Sequence, residues 1–431
     1  MKPEKVFKRY DIRGKYPEEL DEEFADLLGK SLGTFVQRNY PKKVVVCRDN
    51  KESSKTLKKS FIKGLKSTGV EIIDIGSGPT DYAAFTGREK DTVSVQVTSS
   101  HLPLEFNGFK FMYPEGNGFL NPDLDSVKDR FRNREFSQGT GKVEQYPEAL
   151  EEYKENLKLF ARRLSENLDK KVVIDTLGGA TDSLLAETLR AIGANVVDLG
   201  EEKEEKPYRD PPNPRPENLK ELKAKVDETN ADIGLATDMD GDRVTLYKDG
   251  FVDGNKVLAV FSQIFEGDVV ASIDTSKSLE ETTEEQVFYT RVGDPFVMDN
   301  AIEKDVELAG EPNGHYAFLN FVPYNSGTLA ALILAGVDLE RYLDKIPEHH
   351  SVRESYEVED KKKRMEAVEN RIKEEYKIVS RKDGLKVESP DVRALIRPSG
   401  SSPKIRVVTE SKDRHKAEEE ADNLEKIVRN P

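Results

Sequence analysis

One stretch of sequence occurs twice, and that recurrence constrains the fold more than any other feature. Lys43-Val44-Val45-Val46 and Lys171-Val172-Val173-Ile174 are short β-branched runs, and each is followed about 25 residues later by a second run. The second runs are Gly69-Val70-Glu71-Ile72-Ile73-Asp74-Ile75-Gly76 and Gly193-Ala194-Asn195-Val196-Val197-Asp198-Leu199-Gly200. Between the members of a pair lies a helical pattern such as Ser183 to Ile192, with Thr181 or Asp182 suited to cap its start and Gly193 its end. Strand, helix, glycine, strand is the pattern of a βαβ unit, so each copy predicts a parallel α/β layer. A spacing of about 125 residues implies duplicated domains rather than a short-period solenoid.

A further apolar strand in each copy runs into a polar loop. Val93-Ser94-Val95-Gln96-Val97 leads to Thr98-Ser99-Ser100-His101, and Ile233-Gly234-Leu235-Ala236 leads to Thr237-Asp238-Met239-Asp240-Gly241-Asp242-Arg243. A third segment, Val306-Glu307-Leu308-Ala309, leads to Gly310-Glu311-Pro312-Asn313-Gly314-His315. Ligands of open parallel sheets bind beyond the carboxyl ends of the strands, so the three loops are expected to wall one cleft. The pattern changes after about residue 345. Glu357 to Lys377 predicts a solvated amphipathic helix, Arg393-Ala394-Leu395-Ile396 and Ile405-Arg406-Val407-Val408 predict strands, and Lys412 to Val428 predicts a second charged helix. These elements suggest a small α+β domain on a linker. The proline-rich stretch after Glu201 to Lys206 is expected to be a loop inside the second copy.

Composition narrows the chemistry. Asp and Glu number 82 against 67 Lys and Arg, a formal charge of −15, which argues against nucleic-acid binding because phosphates are neutralised by Lys and Arg. The single cysteine, Cys47, closes no intrachain disulfide, and the chain lacks HExxH, CxxC and GxxxxGK[ST] motifs. No apolar h-region follows Met1, and the longest mainly apolar run, Leu329 to Val337, is too short to cross a bilayer. A cytoplasmic setting without membrane contact is expected.

Asp238, Asp240 and Asp242 set three hard oxygen donors at i, i+2 and i+4 after a strand, a donor set for Mg²⁺ or Ca²⁺. An EF-hand loop would require Gly where Arg243 stands and Glu where Asp249 stands, so Mg²⁺ is the better fit; an Asp/Gly turn holding no metal is the competing reading. Arg243 beside the triad suits phosphate oxygens. Ser100-His101 read alone is a strand-end turn. Beside a metal loop, and with Asn107-Gly108-Phe109-Lys110 in the same loop, Ser100 becomes a candidate phosphoryl carrier, with His101 and Lys110 as candidates for moving its proton. Glu311, Asn313 and His315 combine acceptor, amide and imidazole on one tight loop, which suits vicinal sugar hydroxyls, although a polar turn explains them as well. Arg397-Pro398-Ser399-Gly400-Ser401 offers a guanidinium, hydroxyls and open backbone N–H groups, a nest for a phosphate that does not react.

Taken in order, these loops resemble the α-D-phosphohexomutase family of phosphoglucomutases, phosphomannomutases and phosphoglucosamine mutases. The resemblance runs through Tyr10-Asp11-Ile12-Arg13-Gly14, Cys47 to Ser54, Thr98 to Pro103 with Asn107 to Lys110, Pro212-Asn213-Pro214, Asp238 to Arg243, Gly310 to His315 and Arg397 to Pro403. It implies three similar α/β domains with mixed, largely parallel sheets plus a C-terminal α+β domain, arranged around a central cleft. Their expected extents are 1–145, 146–247, 248–347 and 348–431. It further implies Ser100 as the phosphorylated residue, with Asp238, Asp240 and Asp242 holding Mg²⁺ together with that phosphate. Glu311, Asn313 and His315 would hold the sugar, and Arg397, Ser399, Gly400 and Ser401 the distal phosphate. Arg13, Arg243, His101 and Lys110 would stabilise charge or shuttle protons near Ser100.

Leu102 stands where the family commonly has Asn, Asn313 where it has Ser, Ser401-Ser402 where it has Thr-Glu, and Ser326-Gly327 where it has Asp-Gly. Pro295 occupies a position that is often basic. The implied reaction interconverts hexose 1-phosphate and hexose 6-phosphate through a phosphoserine enzyme and a hexose 1,6-bisphosphate, which also serves as activator. Mannose and glucose phosphates are the expected substrates, with glucosamine phosphate as the alternative and a non-catalytic sugar-phosphate-binding protein as a further one. The expected partners are small hexose phosphates, and the expected state is a monomer or homodimer. A hinge near residues 346–355 is expected to let the fourth domain close.

Overall fold

The computed structural model describes residues 5–166, 169–400 and 403–430. Its first unit is a six-stranded sheet in the order Ile12–Lys15, Phe106–Met112, Val93–Val97, Lys43–Arg48, Glu71–Asp74, Val143–Gln145. The four strands from Val93–Val97 outward are parallel, and Phe106–Met112 folds back antiparallel on Val93–Val97. The second unit repeats the core of this plan with Val244–Tyr247, Ile233–Thr237, Lys171–Asp175 and Asn195–Asp198. The third repeats it again with Tyr316–Phe318, Leu308–Gly310, Val269–Ser272 and Val287–Thr290. The core shared by the three units is therefore three parallel strands and one antiparallel return, and the connection leading into that return is the candidate site loop in all three.

β-Branched and aliphatic runs explain why the central strands sit inside. Val44, Val45, Val46, Val172, Val173, Ile174, Val269 and Val270 have essentially no exposure, as expected for strands covered by helices on both faces. The apolar run noted above is the helix Gly327–Gly336, buried at every residue and started by Ser326, whose side chain accepts from the Leu329 amide. It packs against Glu148–Leu164 and Leu184–Ile192, and one continuous apolar cluster links all three α/β units. The C-terminal unit has its own cluster beneath a five-stranded antiparallel sheet. No helix among the described residues is long and apolar enough to cross a membrane.

Several local expectations change. Asn107 to Lys110 lie in the strand Phe106–Met112, not in a loop: the strand is buried from Asn107 onward and paired on both edges, with Ile12–Lys15 and Val93–Val97. The helix in the second copy is Leu184–Ile192, preceded by Ser183 at φ +60 with no side-chain cap, so neither Thr181 nor Asp182 caps it. The expected hinge at 346–355 overlaps the strand His350–Glu357, which pairs along its whole length with Lys404–Ser411. Any hinge is thus confined to the residues before His350. The charged helices run Lys361–Glu375 and Arg414–Arg429.

Candidate active site

Ser100 follows Val93–Val97 at φ +52, and the bend turns its side chain toward the second unit. Its Oγ donates to Asp238 Oδ2 at 2.9 Å and lies 3.2 Å from His101 Nδ1. The Ser100 amide donates to Thr98 Oγ1 at 2.9 Å. Arg13, held by Asp11 at 2.6 Å, reaches the Ser99 carbonyl at 3.5 Å.

The three aspartates are fully buried and offer carboxylate oxygens all within 4.8 Å of one another. Such crowding is costly without opposing charge. Burial, then Asp242 and Asp240, push the Asp238 carboxyl well above its ordinary range. Burial also opposes ionisation of Asp242, but Lys110 and His315 outweigh it and hold that carboxyl well below the usual range. Lys110 Nζ donates to Asp240 Oδ2 at 2.7 Å and Asp242 Oδ2 at 2.5 Å. Its burial is outweighed by these two carboxylates, which raise its affinity for the proton. Lys110 is therefore held as a cation between the two carboxylates.

Asp240 meets the start of helix Thr80–Glu89: the Thr80 amide donates to its carbonyl at 2.9 Å and Thr80 Oγ1 to its Oδ2 at 2.8 Å. Its Oδ1 is buried with no hydrogen-bond partner among the described residues. An orphaned carboxylate oxygen in a cluster of three, all hard donors, fits a divalent cation such as Mg²⁺. The loop's backbone rests on Gly327, whose amide donates to the Gly241 carbonyl at 3.0 Å; a β-carbon there would come within 2.4 Å of the Arg243 carbonyl. Glycine in place of a larger residue is what lets the buried helix approach the triad.

His315 joins the third unit to the second. Its Nδ1 lies 3.3 Å from Glu311 Oε2, while Asp242 Oδ1 and Arg243 Nε lie 3.1 and 3.0 Å from its Nε2, which can bond only one of them at a time. Burial, the largest influence, disfavours the charged ring, but the Asp242 charge and the hydrogen bonds to Asp242 and Glu311 together outweigh it and raise the ring to about 9, so the imidazolium donates to both carboxylates at neutral pH. His101 behaves oppositely: Arg243, then burial, hold its ring far below the usual histidine range, and it is neutral. Glu311 Oε1 accepts from the Gly293 amide at 2.8 Å, which brings Asp294 beside the sugar-loop candidate. Burial raises the Asp294 carboxyl as well.

Ser100, His101, Lys110, Asp238, Asp240, Asp242, Arg243, Glu311 and His315 thus form one bonded network, with Arg13 at its edge. Asn313 is exposed and its Oδ1 accepts from the His315 amide at 3.2 Å, closing its own loop. Arg397 pairs with Asp383 at 3.0 Å, and Ser399 donates its amide to the Lys404 carbonyl at 2.8 Å; Gly400 is exposed with open space around it. Arg397 and Gly400 make no hydrogen bond to the network among the described residues, and Ser401 lies outside them. Thr80, Asp294 and Lys51 had not stood out in the sequence. Thr80 alone carried a signal, as a hydroxyl at a helix start where anions are favoured.

Comparison with known proteins agrees with this architecture. Models of the phosphoglucomutase/phosphomannomutase family match in order: α/β/α domain I over 4–138, domain II over 144–250, domain III over 253–349 and the C-terminal domain over 356–427. The chain is 31% identical to a probable phosphoglucosamine mutase of Methanopyrus kandleri, over 99% of this chain and 98% of the relative. It is also 31% identical to a phosphoglucomutase/phosphomannomutase of Thermococcus kodakarensis, over 96% of each. A solved family protein from Burkholderia thailandensis superposes with a TM-score of 0.87 at 25% identity, covering 99% of this chain and 98% of that one. The chain belongs to the phosphoglucomutase/phosphomannomutase family and is a phosphohexomutase, an isomerase that moves a phosphoryl group.

Proposed function

We propose that the chain moves a phosphoryl group between C1 and C6 of a hexose phosphate by way of phosphorylated Ser100 and a hexose 1,6-bisphosphate. The observation that carries this reading is the 2.9 Å contact between Ser100 Oγ and Asp238, with the other two aspartates, Lys110 and Arg243 around it. Asp238, Asp240 and Asp242 would hold Mg²⁺, which when bound withdraws charge from the transferring phosphoryl oxygens. Ser100 attacks or is attacked at phosphorus, and its bent backbone keeps Oγ at the mouth of the sheet. Arg243 and Arg13 oppose the charge that develops on the phosphoryl oxygens. Lys110 holds Asp240 and Asp242 in place by hydrogen bonds and keeps Asp242 ionised. His101, 3.2 Å from Oγ, is placed to move the proton of the attacking hydroxyl once a phosphate between it and Arg243 offsets the positive charge that suppresses its basicity. Glu311, Asn313 and His315 would orient the sugar, with Arg397, Ser399, Gly400 and Ser401 on the distal phosphate.

Glucosamine phosphate has a specific observation in its favour beside glucose and mannose phosphates. The Gly293–Glu311 bond sets Glu311 beside Asp294, the first residue of the helix Asp294–Lys304, and an ammonium at C2 is a suitable substituent for such a pair of carboxyl groups. The relative from Methanopyrus kandleri carries the corresponding name. Steady-state assays of purified protein with Mg²⁺ on glucose, mannose and glucosamine 1-phosphates test the proposal. Turnover of at least one substrate, abolished by Ser100→Ala with the fold intact, is expected. Full activity in Ser100→Ala, or no activity on all three, overturns it.

A further inference from the structure

Beneath the Ser100 loop lies a buried lysine that the reaction as described does not use. Lys51 is 3% exposed and stands at the start of helix Glu52–Ser67. Its Nζ donates to Ser99 Oγ at 2.5 Å and to the Phe106 carbonyl at 3.0 Å, and Ser99 Oγ in turn donates to the same carbonyl at 2.9 Å. Among the described residues, no carboxylate forms an ion pair with Lys51, so a buried ammonium is met only by neutral oxygens. That arrangement is costly, because a buried charge normally has an opposite charge against it. Burial accordingly lowers its hold on the proton, although Asp49 and Asp240 at longer range resist.

The two oxygens that Lys51 ties together are the two ends of the Ser100 loop. Ser99 immediately precedes Ser100, and Phe106 opens the return strand. Asp210 of the second unit fixes the same loop from the other side, accepting from the Leu104 amide at 3.0 Å. Between these anchors Ser100 adopts its left-handed backbone, which an L-residue holds only when its surroundings enforce it. When Ser100 Oγ takes a phosphoryl group, a P–O bond of the bisphosphate breaks, the O–P bond to serine forms, and the serine proton passes to the released sugar oxygen. The loop then gains a dianion one residue from the ammonium.

We propose that Lys51 is a positioning residue that holds the Ser100 loop and favours its phosphorylated form. The inference rests on the reading of Ser100 as phosphoryl carrier. It acts through Ser99 rather than on the reacting atoms, and it couples phosphorylation to the stability of the loop.

The test compares wild type, Lys51→Met, Lys51→Arg and Ser99→Ala before and after incubation with glucose 1,6-bisphosphate, reading intact mass, thermal midpoint and steady-state kinetics. Wild type is expected to gain a phosphoester of about 80 Da and a higher midpoint. Lys51→Met should lose most of that midpoint gain and about 10- to 100-fold in kcat, with KM little changed, as for a displaced reacting group. Lys51→Arg should restore most of both. A Lys51→Met protein that is destabilised equally in both forms and keeps the wild-type gain overturns the proposal. If Lys51→Met does not accumulate folded, Ser99→Ala decides: it keeps the ammonium but cuts its link to the loop, and an undiminished gain and kcat overturn the proposal. Absence of any phosphoester on wild type overturns the underlying reading of Ser100 instead.

Discussion

Asp81 shows how a single carboxyl outside the reacting network sets a property of the whole protein. It is fully buried on helix Thr80–Glu89 and accepts from Tyr153 Oη of the second unit at 2.6 Å. Burial raises it from 3.8 to about 7, more than the hydrogen bonds to it lower it. The folded state therefore prefers the protonated acid, and the unfolded chain loses that proton at lower pH. Stability from this group is greatest below about 3.8, falls as pH rises toward about 7 and levels beyond. Asp81→Asn should flatten urea midpoints across that window, removing a slope of at most about 1.4 kcal/mol per pH unit. An unchanged profile would place the titration elsewhere. Residues of the site were legible to different degrees for a related reason. Ser100, the aspartates, Arg243, Glu311 and His315 advertise themselves because each lies in a dense polar loop after an apolar strand. Thr80 is 160 positions from the carboxylate it serves, and Lys51 is 48 from Ser99, so only the fold creates their roles.

At the scale of elements, the first unit depends on one close helix crossing. Helices Glu22–Asn39 and Glu52–Ser67 meet at Gly64, where a β-carbon would stand 2.0 Å from the Asp26 carbonyl. That contact is backbone, not the movable end of a side chain, so the helices must separate to admit even a methyl group. Gly64→Ala should cost about 1–3 kcal/mol or more, read as a lower urea midpoint with unchanged m-value. The βαβ copies were readable from β-branched runs at fixed spacing, and the strand order follows from them. The third copy escaped the same reading because its helix, Lys277–Thr282, has six residues, too few for a periodic pattern. His350–Glu357 escaped because it is an edge strand whose residues, Tyr356 apart, are mostly polar and exposed. A strand with one partner and little buried surface leaves almost no alternation to detect.

Across the whole molecule, three units share one core while the fourth is fastened by polar contacts. Arg393 Nη2 meets both oxygens of Glu280 at 2.9 and 3.0 Å, and Glu410 accepts from Ser276 Oγ and the Lys277 amide at the start of a helix in the third unit. Glu280→Gln should loosen this seam, and exchange of the Lys277 amide should quicken about 5- to 30-fold for a loss of 1–2 kcal/mol. The formal charge of −15 coexists with Arg13, Lys110 and Arg243 around Ser100 and the three aspartates. Raising monovalent salt from about 0.05 to about 0.5 M should therefore raise KM for a sugar phosphate while kcat changes little, because screening weakens attraction at long range. A salt-independent KM would mean that the local cations do not attract the substrate. Equivalent loops from three successive units also impose an order on manufacture. Ser100 leaves the ribosome 138 residues before Asp238, roughly 7–28 s at ordinary rates of synthesis. During that interval the nascent chain carries its serine without the carboxylates that would hold a metal beside it. A chain terminated before Asp238 therefore carries Ser100 with none of the three carboxylates that face it in the finished fold.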